Sequence, residues 1–123
     1  MPEPVRVLLV DDDESSRTAL VWLLEDAGFA VIEARSLQEG RARLAAMCAS
    51  PSTTPELVLV DVHLGDGLGT ALLPEVRAAA PRAKTAVVSG AADPPDLAHA
   101  DLALTKGHEP AEAIAALKRL VGA

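Results

Sequence analysis

Acidic, hydroxyl and amine side chains follow short apolar segments at four separate points of the chain. These segments end in Asp11-Asp12-Asp13, in Asp61, in Ser89 and in Lys106. Three or more carboxylates within a few ångströms repel one another, and a hard divalent cation bound by their oxygens relieves that repulsion. Magnesium suits such a site because it binds one or two carboxylates, keeps several waters and leaves a position for a phosphoryl oxygen.

The same residue types predict phosphoryl-transfer chemistry. A carboxylate can act as the nucleophile toward phosphorus. A positive charge and a hydroxyl donor neutralise the transferring group as it arrives, and Lys106 and Ser89 supply these two functions. We therefore expect a magnesium-dependent phosphoryl acceptor site if the four segments converge.

The pattern of apolar runs and punctuating residues predicts alternating strands and helices. Strands are expected over residues 5–10, 30–34, 57–60, 85–88 and 102–105, and helices over about 14–27, 37–48 and 70–80 and from Pro110 onward. Asp13 is expected to cap the first helix, and Ser36 with Glu39 has the form of a capping box. Pro94 and Pro95 leave only a stub of helix, ending near His99, before the fifth strand.

Strands separated by helices indicate a three-layer α/β domain with a parallel sheet covered on both faces. Ligands of such sheets bind outside the carboxyl ends of the strands. The acidic, hydroxyl and amine side chains should therefore meet at one edge of the sheet. We expect residues 1–123 to form a single domain, because the length is that of one domain.

Composition excludes several classes of function. The chain has 50% hydrophobic and 24% charged residues, which is typical of a globular domain. A net charge of −7 opposes binding to nucleic acid and to anionic membranes. No apolar run approaches the roughly 18 residues of a membrane span, and the single Cys48 gives no disulfide or zinc spacing. These features favour a cytoplasmic protein.

The segments at the strand ends resemble the receiver domain of two-component response regulators, and the resemblance extends over nearly the whole chain. The matching residues are 10–13, 57–64 with Gly69, 88–90 and 104–106. The resemblance implies a flavodoxin-like sheet of strand order 2-1-3-4-5. It also implies a partner that donates a phosphoryl group, either a histidine kinase or a histidine phosphotransfer protein, and a downstream protein that receives the signal.

The resemblance assigns a role to each candidate site residue. Asp61 would be the phosphoacceptor, Asp12 a direct Mg²⁺ ligand and Asp11 a ligand acting through water. The backbone carbonyl of His63 would be a further ligand. Ser89 would contact the phosphoryl group through its hydroxyl, and Lys106 would be its counter-ion. Such a domain gains and loses a phosphoryl group as a signal and is not a turnover enzyme.

Several positions depart from the receiver pattern. Gly65 stands where the family usually has Pro, so the loop after the acceptor should be looser. Gly107 replaces the usual cis Pro, so Lys106 must be oriented differently. Ala103 stands at the position of the switch aromatic, and the segment between Ser89 and Lys106 is about one helical turn short.

Two other functions remain open. A haloacid-dehalogenase-type phosphohydrolase would use Asp11 as nucleophile and Asp13 as acid, but it needs an acidic pair after the Lys, where only Glu109 and Glu112 are available. A degenerate receiver would only bind partners, against which the intact Asp12, Asp61 and Lys106 argue.

Two further side chains have alternative interpretations. Trp22 lies off the apolar stripe of the first helix, either along its own helix or as an anchor for the phosphodonor. His63 is either a solvated loop residue or a group that tunes access to the site.

Overall fold

The computed structural model describes residues 3–90, 100–105 and 109–122, and these form a three-layer α/β fold. The central sheet has five parallel strands: β1 (Arg6–Val10), β2 (Ala30–Ala34), β3 (Leu57–Asp61), β4 (Lys84–Ser89) and β5 (Leu102–Thr105). Their order across the sheet is β2-β1-β3-β4-β5. The predicted fold class and strand order are therefore confirmed.

Helices cover both faces of this sheet. They are α1 (Glu14–Asp26), α2 (Leu37–Met47), α3 (Leu73–Ala79) and α4 (Pro110–Val121). Alternate residues of the strands enter two separate cores. Val7 and Leu9 of β1 pack with Leu24 of α1 and Leu117 of α4, whereas the other strand face packs against α2 and α3. The strands β1 and β3 are buried on both faces, which is why they appear in the sequence as continuous apolar runs.

Helix caps form where the sequence predicts them, with one difference in the partner. Asp13 caps α1 by accepting a hydrogen bond from the amide of Ser16 at 2.8 Å. The Ser36 hydroxyl accepts from the amide of Glu39 at 3.0 Å at the start of α2. The Glu39 carboxylate, however, accepts from the amide of Arg35 at 3.1 Å. The cap at α2 thus extends one residue further toward the N-terminus than a capping box predicts.

The segment after β3 differs from the prediction of a loop followed by a helix over 70–80. His63–Leu64 and Gly67–Leu68 pair as a short antiparallel hairpin, and a 3₁₀ turn, Gly69–Leu72, precedes α3. The amide of Gly69 donates to the carbonyl of Val62 at 2.7 Å, which holds this segment against the end of β3. The α-helix begins only at Leu73, with Pro74 in its first turn, where a missing amide donor costs least.

The helical stub expected near residues 95–99 lies outside the described residues. Within the described ranges, no helix combines the length and the apolar character needed to cross a bilayer.

Candidate functional site

The carboxyl ends of three strands bring predicted site residues to one edge of the sheet. Asp11 directly follows β1, Asp61 is the last residue of β3, and Ser89 is the last residue of β4. Ser89 is in register with Thr105, the last residue of β5, so these strand ends lie side by side. Lys106 comes next in the chain but lies outside the described residues.

Three carboxylates meet at this edge. Asp11, Asp12 and Asp61 each place one carboxylate oxygen so that the three atoms lie within 4.8 Å of one another. Asp11 and Asp61 are buried, whereas Asp12 is exposed, so the group is open to solvent on one side. This donor set fits a hard divalent cation, because such ions prefer carboxylate oxygens and because Mg²⁺ retains water on its open side.

The surroundings of Asp11 disfavour the ionised form of its carboxyl group. Burial raises the pKa of the Asp11 carboxyl above its ordinary value of 3.8, and the charges of Asp61 and Asp12 raise it further. Hydrogen bonds from the Asp13 amide and the Ser16 side chain act in the opposite direction but do not prevail. The folded protein therefore disfavours the negative charge of Asp11, and a bound cation would offset that penalty.

The carboxylate of Asp13 is turned away from the group formed by Asp11, Asp12 and Asp61. Its amide donates to Asp11 Oδ1 at 2.9 Å, while its own carboxylate accepts from the Ser16 amide. Asp13 thus caps α1, as the sequence predicts, and its amide also holds one carboxylate oxygen of Asp11.

The backbone after β3 orients the predicted acceptor. The amide of His63 donates to Asp61 Oδ1 at 3.1 Å, and the amide of Val62 donates to the carbonyl of Val88 at 3.0 Å. His63 itself is exposed at the start of the hairpin. These bonds tie the segment that follows Asp61, residues 62–68, which we name the acceptor loop, both to the Asp61 carboxylate and to β4.

Arg17 is a residue of this region that the sequence reasoning missed. It is 8% exposed, and its guanidinium donates to the carbonyl of Asp11 at 3.0 Å and to Glu33 at 3.2 Å. A signal was available, because Arg17 shares helical spacing with the core-facing Leu20 and Leu24. A charged residue in an apolar stripe indicates a buried partner.

Gly69 lies against the backbone of Asp61. A Cβ at this position would overlap the carbonyl of Asp61 and would come within 2.7 Å of Val60 Cγ2. Because the obstruction is backbone and not a movable side chain, we expect Gly69→Ala to lower the free energy of unfolding by about 1–3 kcal/mol. Urea denaturation measures this loss.

Gly65→Ala is the matched control for that substitution. A Cβ at Gly65 would meet only Asp12 Oδ2, at an ordinary contact distance of 3.5 Å. Its stability should remain close to that of the original protein. Equal losses for the two variants would show that close approach to Asp61 is not the reason for Gly69.

Asp66 connects the acceptor loop to α2. Its two carboxylate oxygens accept from the amides of Leu37 at 2.8 Å and Gln38 at 2.9 Å. These bonds satisfy two of the donors that a helix start leaves unpaired. The bonds from Gln38 and Leu37 lower the pKa of the exposed Asp66 carboxyl below its ordinary value of 3.8.

We expect Asp66→Ala to lower the thermal unfolding midpoint at neutral pH. Since the native pKa is lowered, the contribution of Asp66 is present above pH 3.8 and disappears as the pH falls through the native pKa. The difference between the variant and the original protein should therefore shrink on acidification. Melting curves across the acid range measure this, and a difference that grew toward low pH would contradict the assignment.

Comparisons with known proteins agree with this architecture. The family profile of the response regulator receiver domain matches residues 7–118. A CheY-like receiver domain protein from Methanospirillum hungatei JF-1 is 27% identical, with a TM-score of 0.83, over 97% of this chain and 94% of that one. No curated protein sequence matches this chain.

Two further solved structures share the fold at lower identity. Response regulator TrrA from Thermotoga maritima, solved with Mg²⁺ and BeF, is 24% identical, with a TM-score of 0.81, over 94% of this chain and 98% of that one. CheY4 of Vibrio cholerae is 22% identical, also with a TM-score of 0.81, over 95% and 98% of the two chains. The profile match spans most of the sequence, and the chain therefore belongs to the response regulator receiver domain family.

Proposed function

We propose that this chain accepts a phosphoryl group on Asp61 in a Mg²⁺-dependent reaction and passes the signal on through protein contacts. The observation that carries the proposal is the convergence of Asp11, Asp12 and Asp61 at the edge of the sheet. The family assignment supports it, and so does the Mg²⁺ in the TrrA structure. The donor is a histidine kinase or a histidine phosphotransfer protein, acting in the cytoplasm.

Each residue near the acceptor has a part in this reaction. Asp12 and Asp61 would hold the cation directly, Asp11 would hold it through water, and the carbonyl of His63 would add a ligand. When bound there, the cation would supply positive charge to neutralise the phosphoryl oxygens. A carboxylate oxygen of Asp61 forms the new bond to phosphorus as the bond to the donor's imidazole nitrogen breaks, and the electron pair of that bond returns to the imidazole.

The remaining contacts are with the phosphoryl group itself. Ser89 at the end of β4 donates its hydroxyl, and Lys106 supplies a positive charge. The amide of His63 holds Asp61 Oδ1, which limits rotation of the acceptor carboxylate. In this role the domain is a signalling switch and not a turnover enzyme.

Geometry argues against the dehalogenase-type alternative. That mechanism needs Asp13 as an acid beside the nucleophile Asp11, whereas the carboxylate of Asp13 accepts from the Ser16 amide at the start of α1.

Incubation with acetyl phosphate and Mg²⁺, followed by intact-mass analysis, tests the proposed phosphorylation of Asp61. A gain of one phosphoryl group supports it, whereas an unchanged mass would favour a receiver that only binds partners.

Trp22 provides a prediction about the phosphodonor. Its side chain is 68% exposed on α1, the helix that begins directly after the acidic turn. A large exposed aromatic residue is typical of an interface anchor. If α1 contacts the donor, we expect Trp22→Ala to weaken binding to the phosphorylated donor protein by roughly tenfold.

Two controls separate docking from chemistry. Phosphorylation by acetyl phosphate should be unaffected by Trp22→Ala, because this small donor needs no docking surface. Ile32→Ala, which removes a 42% exposed apolar side chain from the edge strand β2, should leave donor affinity unchanged. Unaltered affinity and transfer rate in Trp22→Ala would contradict a docking role for this residue.

A further inference from the structure

Arg17 is a buried cation beside the acceptor site. Among residues 3–90, 100–105 and 109–122, the buried charged residues are Asp11, Asp61 and Arg17. An Arg side chain does not lose its proton in a protein, so a buried guanidinium requires partners. Its partners therefore indicate which part of the structure its charge serves.

The guanidinium of Arg17 joins α1 to β2 and to the turn that follows β1. From α1, Nη1 donates to the backbone carbonyl of Asp11 at 3.0 Å, and Nε donates to Glu33 Oε1 on β2 at 3.2 Å. The Arg17 side chain is 9% exposed and that of Glu33 is 46% exposed. The bond to Asp11 reaches the main chain and not the carboxylate, so the carboxylate of Asp11 is not neutralised by this contact.

Holding the Asp11 carbonyl has a geometric consequence. The amide of Asp11 donates to the carbonyl of Ala34 at 3.0 Å, so both main-chain polar groups of Asp11 are held. The Asp11 carbonyl shares a planar peptide unit with the amide nitrogen of Asp12. Fixing that plane sets the direction in which the chain continues into Asp12, and in the next step of the chain the Asp13 amide donates to Asp11 Oδ1.

We propose that Arg17 is a positioning residue of the acidic site. It fixes the peptide between Asp11 and Asp12 so that both carboxylates converge on Asp61, and Glu33 holds the guanidinium in place. The inference rests on the proposed function, because it concerns how well the carboxylates are placed for the cation.

The first test is Mg²⁺ binding to the full chain, measured by isothermal titration calorimetry. We expect Arg17→Met to weaken Mg²⁺ affinity by about 10- to 100-fold, the usual effect of losing a group that orients metal ligands. Ca²⁺ affinity should fall less, because Ca²⁺ tolerates irregular geometry that Mg²⁺ does not. The Mg²⁺ affinity of Arg17→Lys should lie between that of the original protein and that of Arg17→Met. An ammonium can reach one partner but lacks the planar fork that holds both.

The second test needs no metal. The amide of Asp13 donates to Asp11 Oδ1, so its hydrogen exchange reports whether the acidic turn is in place. We expect faster exchange at this amide in metal-free Arg17→Met. All measurements are made at temperatures well below the unfolding midpoint. There, a loss of global stability alone leaves both the measured Mg²⁺ affinity and the local exchange of the Asp13 amide almost unchanged.

An exposed ion pair provides the matched control. Arg41 and Glu75 form a pair at 2.7 Å on the surface, so Arg41→Met makes the same chemical change away from the site. It should change neither Mg²⁺ affinity nor Asp13 exchange. If Arg17→Met fails to fold, Glu33→Ala takes its place, and we expect a smaller loss of Mg²⁺ affinity with faster Asp13 exchange.

The outcomes separate the two proposals. If the original protein binds no Mg²⁺, the proposed function fails. If it binds Mg²⁺ and the variant at Arg17 or Glu33 binds equally tightly with unchanged Asp13 exchange, the proposed function stands and the positioning role of Arg17 is wrong.

Discussion

Asp61→Asn is expected to abolish phosphoryl acceptance while leaving the fold intact. An amide oxygen is a far weaker nucleophile than a carboxylate oxygen, and the acyl phosphate cannot form on an amide. The substitution preserves shape, so the amide of His63 keeps its acceptor at this position. Intact-mass analysis after incubation with acetyl phosphate and Mg²⁺ should show one added phosphoryl group on the original protein and none on the variant.

Asp66→Asn is the control for that experiment. Asp66 lies on the same loop, five residues further along, but its carboxylate accepts from the start of α2. This variant should still gain one phosphoryl group. If Asp61→Asn were labelled as fully as the original protein, the acceptor would be another residue. If Asp61→Asn were labelled and Asp11→Asn were not, the result would favour the dehalogenase-type alternative.

Asp11→Asn is expected to stabilise the metal-free protein and to reduce its response to Mg²⁺. The substitution removes one charge from a group of three carboxylates with oxygens within 4.8 Å of one another, and the amide oxygen can still accept from the Asp13 amide. Relief of the burial penalty on this charge, together with relief of the repulsion, should raise the free energy of unfolding by about 1–3 kcal/mol.

Added Mg²⁺ should stabilise the original protein more than it stabilises Asp11→Asn. A cation that binds only the folded state stabilises it by about 2.7 kcal/mol when present at 100 times its dissociation constant. The original protein should show this gain in urea denaturation with Mg²⁺ against EDTA, whereas Asp11→Asn should gain less at the same concentration. Glu25→Gln removes a charge from an exposed position of α1 and should retain the full Mg²⁺ response.

The advantage of Asp11→Asn should also depend on pH. Because burial and neighbouring charges raise the native pKa of Asp11 above 3.8, the native state binds this proton more tightly than the unfolded chain does. Its contribution favours folding at low pH and is lost as the pH rises through the native pKa. The stability difference between variant and original protein should therefore grow from acid toward neutral pH and then level off. A difference that shrank over that range would contradict the assigned repulsion.

Local chemistry determined much of this protein from its sequence alone. The continuous apolar runs of β1 and β3 predict buried strands, and Asp13 predicts the start of α1, because these signals depend on residues adjacent in the chain. The alternation of strands and helices then predicts that Asp11, Asp12 and Asp61 meet, since the carboxyl ends of parallel strands lie at one edge. The structure confirms this meeting.

The individual hydrogen bonds and close contacts between distant segments were decided only by the tertiary structure. The Arg17 bond to Glu33, the Asp66 bonds to the start of α2 and the close approach of Gly69 to Asp61 all join separate elements. Sequence spacing shows which face of an element a residue occupies, but not which partner of another element faces it. That choice depends on how helices settle on the sheet, where packing and the need to satisfy buried polar groups act together.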